Sequence, residues 1–242
     1  MSSIFARTEL LIGKTGLAKL SAGRVAVFGL GGVGSFTAEA LARAGVGTLL
    51  LVDHDVVSPS NINRQLHALA GTVGRPKTGV MADRLREINP SIVVETKQQK
   101  FLPHTAPDML ACWKPDYVVD AIDDVDNKVA LIIYCVRNRL PVISAMGAGN
   151  KLDPTSFKID NIWKTSVCPL ARVVRKKLRA AGIEESIPVV YSTAKPALKN
   201  DGNDTVAQQA TGSISYVPPV SGLYMAGYVV DRLLGLGVFS DS

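Results

Sequence analysis

One stretch limits what this chain can fold into more than any other: Gly29-Leu30-Gly31-Gly32-Val33-Gly34, set between two segments of opposite character. Before it, Arg24-Val25-Ala26-Val27-Phe28-Gly29 is short, apolar and ended by glycine, as a buried strand would be. After it, Gly31 to Ala44 reads as a helix, stopped by Gly45 and Gly47. The glycines permit a tight turn and let the backbone approach phosphate oxygens, while the helix start supplies free N–H donors and a favourable dipole. Thr48-Leu49-Leu50-Leu51-Val52-Asp53 is a second buried strand. Its closing Asp53 stands about 20 residues on, where a carboxylate can accept hydrogen bonds from ribose hydroxyls. These residues imply a nucleotide-binding βαβ unit and leave the ligand open among ATP, nicotinamide and flavin.

Apolar strands and helices continue to alternate. Helical spacing returns over Lys77 to Ile88, closed by Asn89-Pro90, and Ile92 to Thr96 looks like a third strand. Tyr117 to Ala121 is a further strand, Lys128 to Asn138 a helix and Pro141 to Ser144 a strand. The pattern predicts an α/β class: a Rossmann-like, doubly wound, mostly parallel sheet with a small C-terminal extension. A helix is expected from near Pro169 to Gly182, a strand at Ser215-Tyr216-Val217 and a closing helix over Leu223 to Leu234. Residues 192–213 are polar and read as a mobile surface loop. We therefore divide the chain into an ATP-binding part, 1–150, and a C-terminal part of the same domain, 151–242.

Composition narrows the class. No apolar window reaches the roughly 20 residues that span a bilayer, and the first residues lack a signal-peptide pattern. No membrane association is expected, and the cytoplasm is the natural compartment. Cys112, Cys135 and Cys168 are odd in number and contain no CxxC pair, which argues against a disulfide framework or a four-cysteine zinc. His54, His67 and His104 read as surface or packing residues, since none has a second ligand at metal-binding spacing.

The segment after Asp53 separates the possible ligands. Asp53-His54-Asp55 leads into Ser58-Pro59-Ser60-Asn61-Ile62-Asn63-Arg64-Gln65 and then Val73-Gly74-Arg75-Pro76-Lys77. A hydride-transfer enzyme does not break its cofactor at a phosphate and has no use for these cations. An adenylating enzyme does, because charge builds on the α-phosphate and departing pyrophosphate. Asp120-Ala121-Ile122-Asp123-Asp124 ends a strand at the same sheet edge, and its carboxylates suit Mg²⁺.

Together these residues resemble the ThiF/MoeB/HesA family, the bacterial relatives of ubiquitin-activating enzymes, over about Phe5 to Gly149. The resemblance implies a homodimer that binds ATP and Mg²⁺. It implies an ATP site of Gly29, Gly31, Gly32, Gly34, Asp53, Asp55, Asn61, Arg64, Gln65, Lys77 and Asp123. Gly32 would contact phosphate, Asp53 and Asn61 would help hold the nucleotide, Arg64 and Lys77 would bind phosphates, and Asp123 would hold the metal. Arg7, in Phe5-Ala6-Arg7-Thr8-Glu9-Leu10-Leu11-Ile12-Gly13, matches the arginine that the family sends into the neighbouring subunit's site. With Arg64, Lys77 and Asp123 it completes the expected catalytic set.

Paired CxxC motifs, common in the sulfur-carrier activators of the family, are absent here. Ile143 to Asp153 with Lys164-Thr165 and the basic segment after it resembles instead the branch that dehydrates threonylcarbamoyladenosine in tRNA, over nearly the whole chain. That implies a tRNA substrate, its carboxylate adenylated by ATP and closed into a ring. Adenylation of a small sulfur-carrier protein and nicotinamide-dependent oxidoreduction are the alternatives, and a sulfur-transfer protein is a further candidate partner. Residues 151–199 carry 10 Lys+Arg against 4 Asp+Glu, so the positive charge concentrates where a polyanion or an acidic partner could dock. Arg172, Arg175, Lys176 and Arg179 follow i, i+3, i+4, i+7 spacing and form the candidate tRNA-binding stripe. Cys168, at a loop-to-helix junction, is the cysteine best set for reactivity, although packing is its simpler role.

Overall fold

The computed structural model describes residues 4–197 and 211–239. Seven strands form one sheet in the order β3-β2-β1-β4-β5-β7-β6. They are β1 Arg24–Phe28, β2 Thr48–Val52, β3 Val93–Lys97, β4 Tyr117–Asp120, β5 Val142–Ala145, β6 Phe157–Asn161 and β7 Pro188–Ser192. Every pairing is parallel except β6 with β7. The inner strands are buried along nearly their whole length because both faces are covered, which explains their unbroken apolar runs. Edge strand β3 instead buries Val94 between exposed neighbours.

Six α-helices accompany the sheet among the described residues: α1 Ala6–Ala22, α2 Gly34–Ala44, α3 Lys77–Ile88, α4 Val125–Arg137, α5 Pro169–Ala180 and α6 Val217–Leu234. Leu20, Leu41, Met81, Leu85 and Met225 of α1, α2, α3 and α6 pack with Val25, Val27, Leu49 and Leu51 on one face. The other face packs Ala26, Phe28, Leu50 and Val118 against Leu131 and Cys135 of α4, and α4 in turn against Val174 and Leu178 of α5. Each fully buried leucine contributes about 1.5–3 kcal/mol by leaving water.

Ser215-Tyr216-Val217, expected as a strand, is not one: α6 starts at Val217, nearly two turns before the expected Leu223. Pro218 and Pro219 lie in its first turn, where no intrahelical N–H is needed, so they open the helix rather than block it. α2 begins at Gly34 rather than Gly31, because the intervening residues form the loop. The sequence pattern does not announce helix α1, bent at Gly13 (φ +68°), or strands β6 and β7. The expected loop 192–213 begins on the last residue of β7, and 198–210 lie outside the described residues.

β1 continues through α2 to β2 on one side, while β4 joins its other side. The connections diverge there and open a crevice at the C-terminal ends of β1 and β4, the usual ligand position in such a sheet.

Candidate nucleotide and acyl-group site

The glycine loop sits in that crevice against the turn after β4. A methyl group on Gly29 would lie 2.6 Å from the Ala121 carbonyl oxygen, and one on Gly34 only 1.8 Å from the Gly29 carbonyl oxygen. Gly29 also has φ +86°. Gly31, by contrast, has open space before it, its nearest neighbour the Gln65 amide nitrogen at 4.0 Å. The outer two glycines let the chain fold, and the middle one faces the ligand space.

A cavity of about 870 Å³ opens from this loop. Gly29, Gly31, Gly32, Asp53, Asp55, Asn61, Arg64, Gln65, Lys77 and Asp123 all line it, brought together from well-separated segments of the chain. Gly34 stands behind them at the start of α2. Asp53 Oδ2 accepts from the Leu30 N–H at 2.6 Å and Oδ1 from the Asp55 N–H at 2.8 Å. Thus Asp53 ties the loop to the following turn, and each oxygen retains acceptor capacity for a ligand. Asn61 takes the Ser58 N–H at 3.1 Å, which shapes the turn that carries Arg64. Arg64 lies over the loop, its Cγ 3.3 Å from where a Gly32 methyl would be, and donates to Ser60 O and Asn63 Oδ1.

Lys77 opens α3 with a nearly buried side chain and donates to Asp55 Oδ2 at 2.7 Å. Burial alone would raise the Asp55 carboxyl, but the Lys77 hydrogen bond and charge outweigh it and hold it below its usual range. Gln65 Oε1 is buried without a hydrogen-bond partner among the described residues, an acceptor left for a ligand to satisfy. Of the acidic run after β4, Asp120 is fully buried and bonded to Lys128 and Ser144, so it is not available to a metal. Asp124 caps α4 through the Asn127 N–H and lies 3.5 Å from Lys100. Asp123 remains, lining the cavity.

Other expected residues lie elsewhere. Arg7 is exposed on the first turn of α1, outside the residues that line the cavity. Arg172, Lys176 and Arg179 are exposed on α5. Arg175 is half-buried and donates to the Thr165 carbonyl at 2.9 Å and to its hydroxyl, so part of its fork supports the loop before the helix. Cys168 is buried beside the cavity at the N-cap of α5. His54 and His104 are exposed, whereas His67 is buried behind the site.

Sequence reasoning missed Lys100 and Lys151, both of which line the cavity. Lys151 follows Gly147-Ala148-Gly149-Asn150, a glycine-rich turn at the end of a strand that resembles the first loop and could have drawn attention to it.

A doubly wound sheet with a glycine loop, a carboxylate at the end of the next strand and two cations lining the cavity at its switch point defines a nucleotide-binding enzyme of the adenylating kind. The chain belongs to the ThiF family, whose model matches residues 5–240. It is 46% identical to the tRNA threonylcarbamoyladenosine dehydratase of Bacillus subtilis (strain 168) over 240 residues, covering 95% of this chain and 94% of that one. The dehydratase of the same name from Haemophilus influenzae is 38% identical over 232 residues, 90% and 88% of the two chains. The E. coli tRNA N6-threonylcarbamoyladenosine dehydratase, solved in complex with ATP, superposes with a TM-score of 0.88 at 33% identity, covering 96% and 94%.

Proposed function

We propose that this protein uses ATP to dehydrate threonylcarbamoyladenosine in tRNA. The substrate carboxylate attacks the α-phosphorus of ATP, pyrophosphate leaves, and an acyl-adenylate forms. The neighbouring carbamoyl group then closes onto the activated carbonyl carbon, loses a proton and expels AMP. The net change is loss of one water. Adenylation is required because a free carboxylate is a poor electrophile, whereas AMP is a good leaving group.

The observation that carries this reading is that Arg64, against Gly32, and Lys77 both line the cavity that opens from the glycine loop. Fixed cations there stabilise charge on the α-phosphate and departing pyrophosphate, a need that hydride transfer does not have. Asp53 and Asn61 hold the ribose side and Gln65 offers its free acceptor. Asp123 fits Mg²⁺, being the carboxylate of its run left unengaged, with nucleotide oxygens able to complete the shell. When bound, that ion would supply charge neutralisation on the phosphates.

Residues 1–150 supply most of the nucleotide end of the cavity, and 151–242 complete the same domain with the tRNA-facing side. Arg172, Lys176 and Arg179 hold tRNA phosphates. Exposed Leu10 and Leu11 beside Arg7 support a homodimer in which Arg7 reaches the partner's site. No helix among the described residues is long and apolar enough to cross a membrane. A tRNA substrate supports a cytoplasmic location for the reaction.

The test is AMP release from ATP with tRNA bearing threonylcarbamoyladenosine, against the same tRNA unmodified. AMP formed with the modified tRNA only, with a nucleoside lighter by one water, is expected. AMP formed instead with a small carrier protein ending in Gly-Gly would replace this reading by sulfur-carrier activation.

A further inference from the structure

Lys151 lines the cavity together with Met146, Gly147, Cys168 and Leu170 and is only 4% exposed. Its ammonium donates to the Ala194 carbonyl and makes no ion pair with a carboxylate among the described residues. The other two cavity lysines are both neutralised, Lys77 by Asp55 at 2.7 Å and Lys100 by Asp124 at 3.5 Å. A buried ammonium with spare donors and no counter-charge among the described residues is costly, and an incoming anion relieves that cost. Burial pushes the Lys151 ammonium below its usual range, opposed by the neighbouring Cys168. The first residues of α5, Cys168 to Leu170, also line the cavity, so the positive end of a 12-residue helix lies at its wall.

We infer that Lys151, backed by the N-terminal end of α5, binds the carboxylate of the acyl group that is to be adenylated. The inference rests on the function proposed above and names the residue that recognises its substrate. Arg64 and Lys77 serve the phosphates, and Lys151, in the lining of the same cavity, serves the carboxylate that attacks the α-phosphorus. It selects acyl groups that are anionic over neutral ones of the same shape.

The experiment is equilibrium binding without ATP, comparing tRNA that carries threonylcarbamoyladenosine with the same tRNA whose carboxylate is a carboxamide. The wild-type protein should prefer the carboxylate on the order of 10- to 100-fold, as a charge-assisted hydrogen bond provides. Lys151→Met should bind both alike. Lys151→Gln, which keeps a donor for Ala194 without the charge, should also bind both alike, and Lys151→Arg should retain the preference. A preference that survives in Lys151→Gln overturns the inference. So does equal weakening of modified, carboxamide and unmodified tRNA, which would place a tRNA phosphate on Lys151 instead. Wild-type protein that releases no AMP with the modified tRNA would remove the functional reading itself. Wild-type turnover with an undiminished preference in Lys151→Gln would remove only the role of Lys151.

Discussion

Lys77 and Asp55 form a 2.7 Å ion pair between unequal partners: the lysine side chain is 6% exposed and the aspartate side chain 49%. The carboxylate supplies a counter-charge to a nearly buried ammonium while part of it remains in water. The pair sets the orientation of the first turn of α3 against the loop that follows β2.

Replacing either of the cavity cations proposed to bind phosphate, Arg64 or Lys77, should stop activation without unfolding the protein. Lys77→Ala and Arg64→Ala are each expected to lower ATP–pyrophosphate exchange by roughly 10²-fold or more. Thermal melts should show both variants folded. Near-normal exchange in both would remove the roles assigned to them.

The glycines should separate by function. Gly34→Ala drives a methyl into the Gly29 carbonyl at 1.8 Å and cannot be relieved by a rotamer, so strong destabilisation is expected. Gly31→Ala meets nothing closer than 4.0 Å and should melt like the wild type. It should still bind ATP more weakly, because the methyl fills space needed for close phosphate approach. Calorimetric melts and nucleotide titration of the two variants check this.

Lys128 and Asp120 are both fully buried, 2.7 Å apart, with Ser144 donating to Asp120 at 2.5 Å. Asp120 also accepts the Ile122 N–H and so braces the turn that presents Asp123. Lys128→Met strands a buried carboxylate and should cost about 3–5 kcal/mol. Adding Asp120→Asn removes the stranded charge while keeping an acceptor for Ile122, and should recover a large share of that cost. Urea unfolding of the single and double variants measures the difference.

His67 is buried, 2% exposed, with neither ring nitrogen hydrogen-bonded among the described residues. Burial, reinforced by the charge of Lys77, pushes its pKa down from 6.5 to about 4. The folded state therefore disfavours the proton that the unfolded chain accepts near pH 6.5. The resulting stability is complete above pH 6.5, is lost as pH falls toward about 4, and changes no further below that. The full span corresponds to about 3 kcal/mol. Denaturant midpoints at pH 7 and pH 5 should differ less in His67→Leu than in the wild type.

The basic stripe should respond to salt. Arg172→Glu with Lys176→Glu is expected to weaken tRNA binding across all sequences. It should also flatten the salt dependence by about one unit of slope for each phosphate that is no longer held. Arg175→Glu should in addition lower the melting temperature, since Arg175 bonds Thr165. Unchanged affinity and slope in the double variant would exclude the stripe from tRNA binding.

The glycine loop, Asp53, Arg64 and Lys77 are legible in the chain because each requirement is local: a strand, a turn with room for phosphate, a helix start, a charge at set spacing. The unbroken apolar runs of β1, β2, β4 and β5 likewise announce strands buried on both faces. Other features depend on what packs from a distance. β7 is as apolar as a helix segment of the same length, and its place between β5 and antiparallel β6 comes from pairing alone. Asp120 and Asp123 stand in one acidic run, yet the first is consumed by Lys128 and Ser144 while the second faces the cavity. Arg175 shares the spacing of its neighbours on α5, but the fold brings Thr165 within its reach.

Lys151 reads in sequence as one lysine among many. Its burial in the lining of the cavity that also takes in Gly29 is a property of the folded chain. Sequence by itself determined which side chains could carry charge and where the backbone could turn. Tertiary structure decided which of those charges are neutralised, because pairing and desolvation depend on groups far apart in the chain.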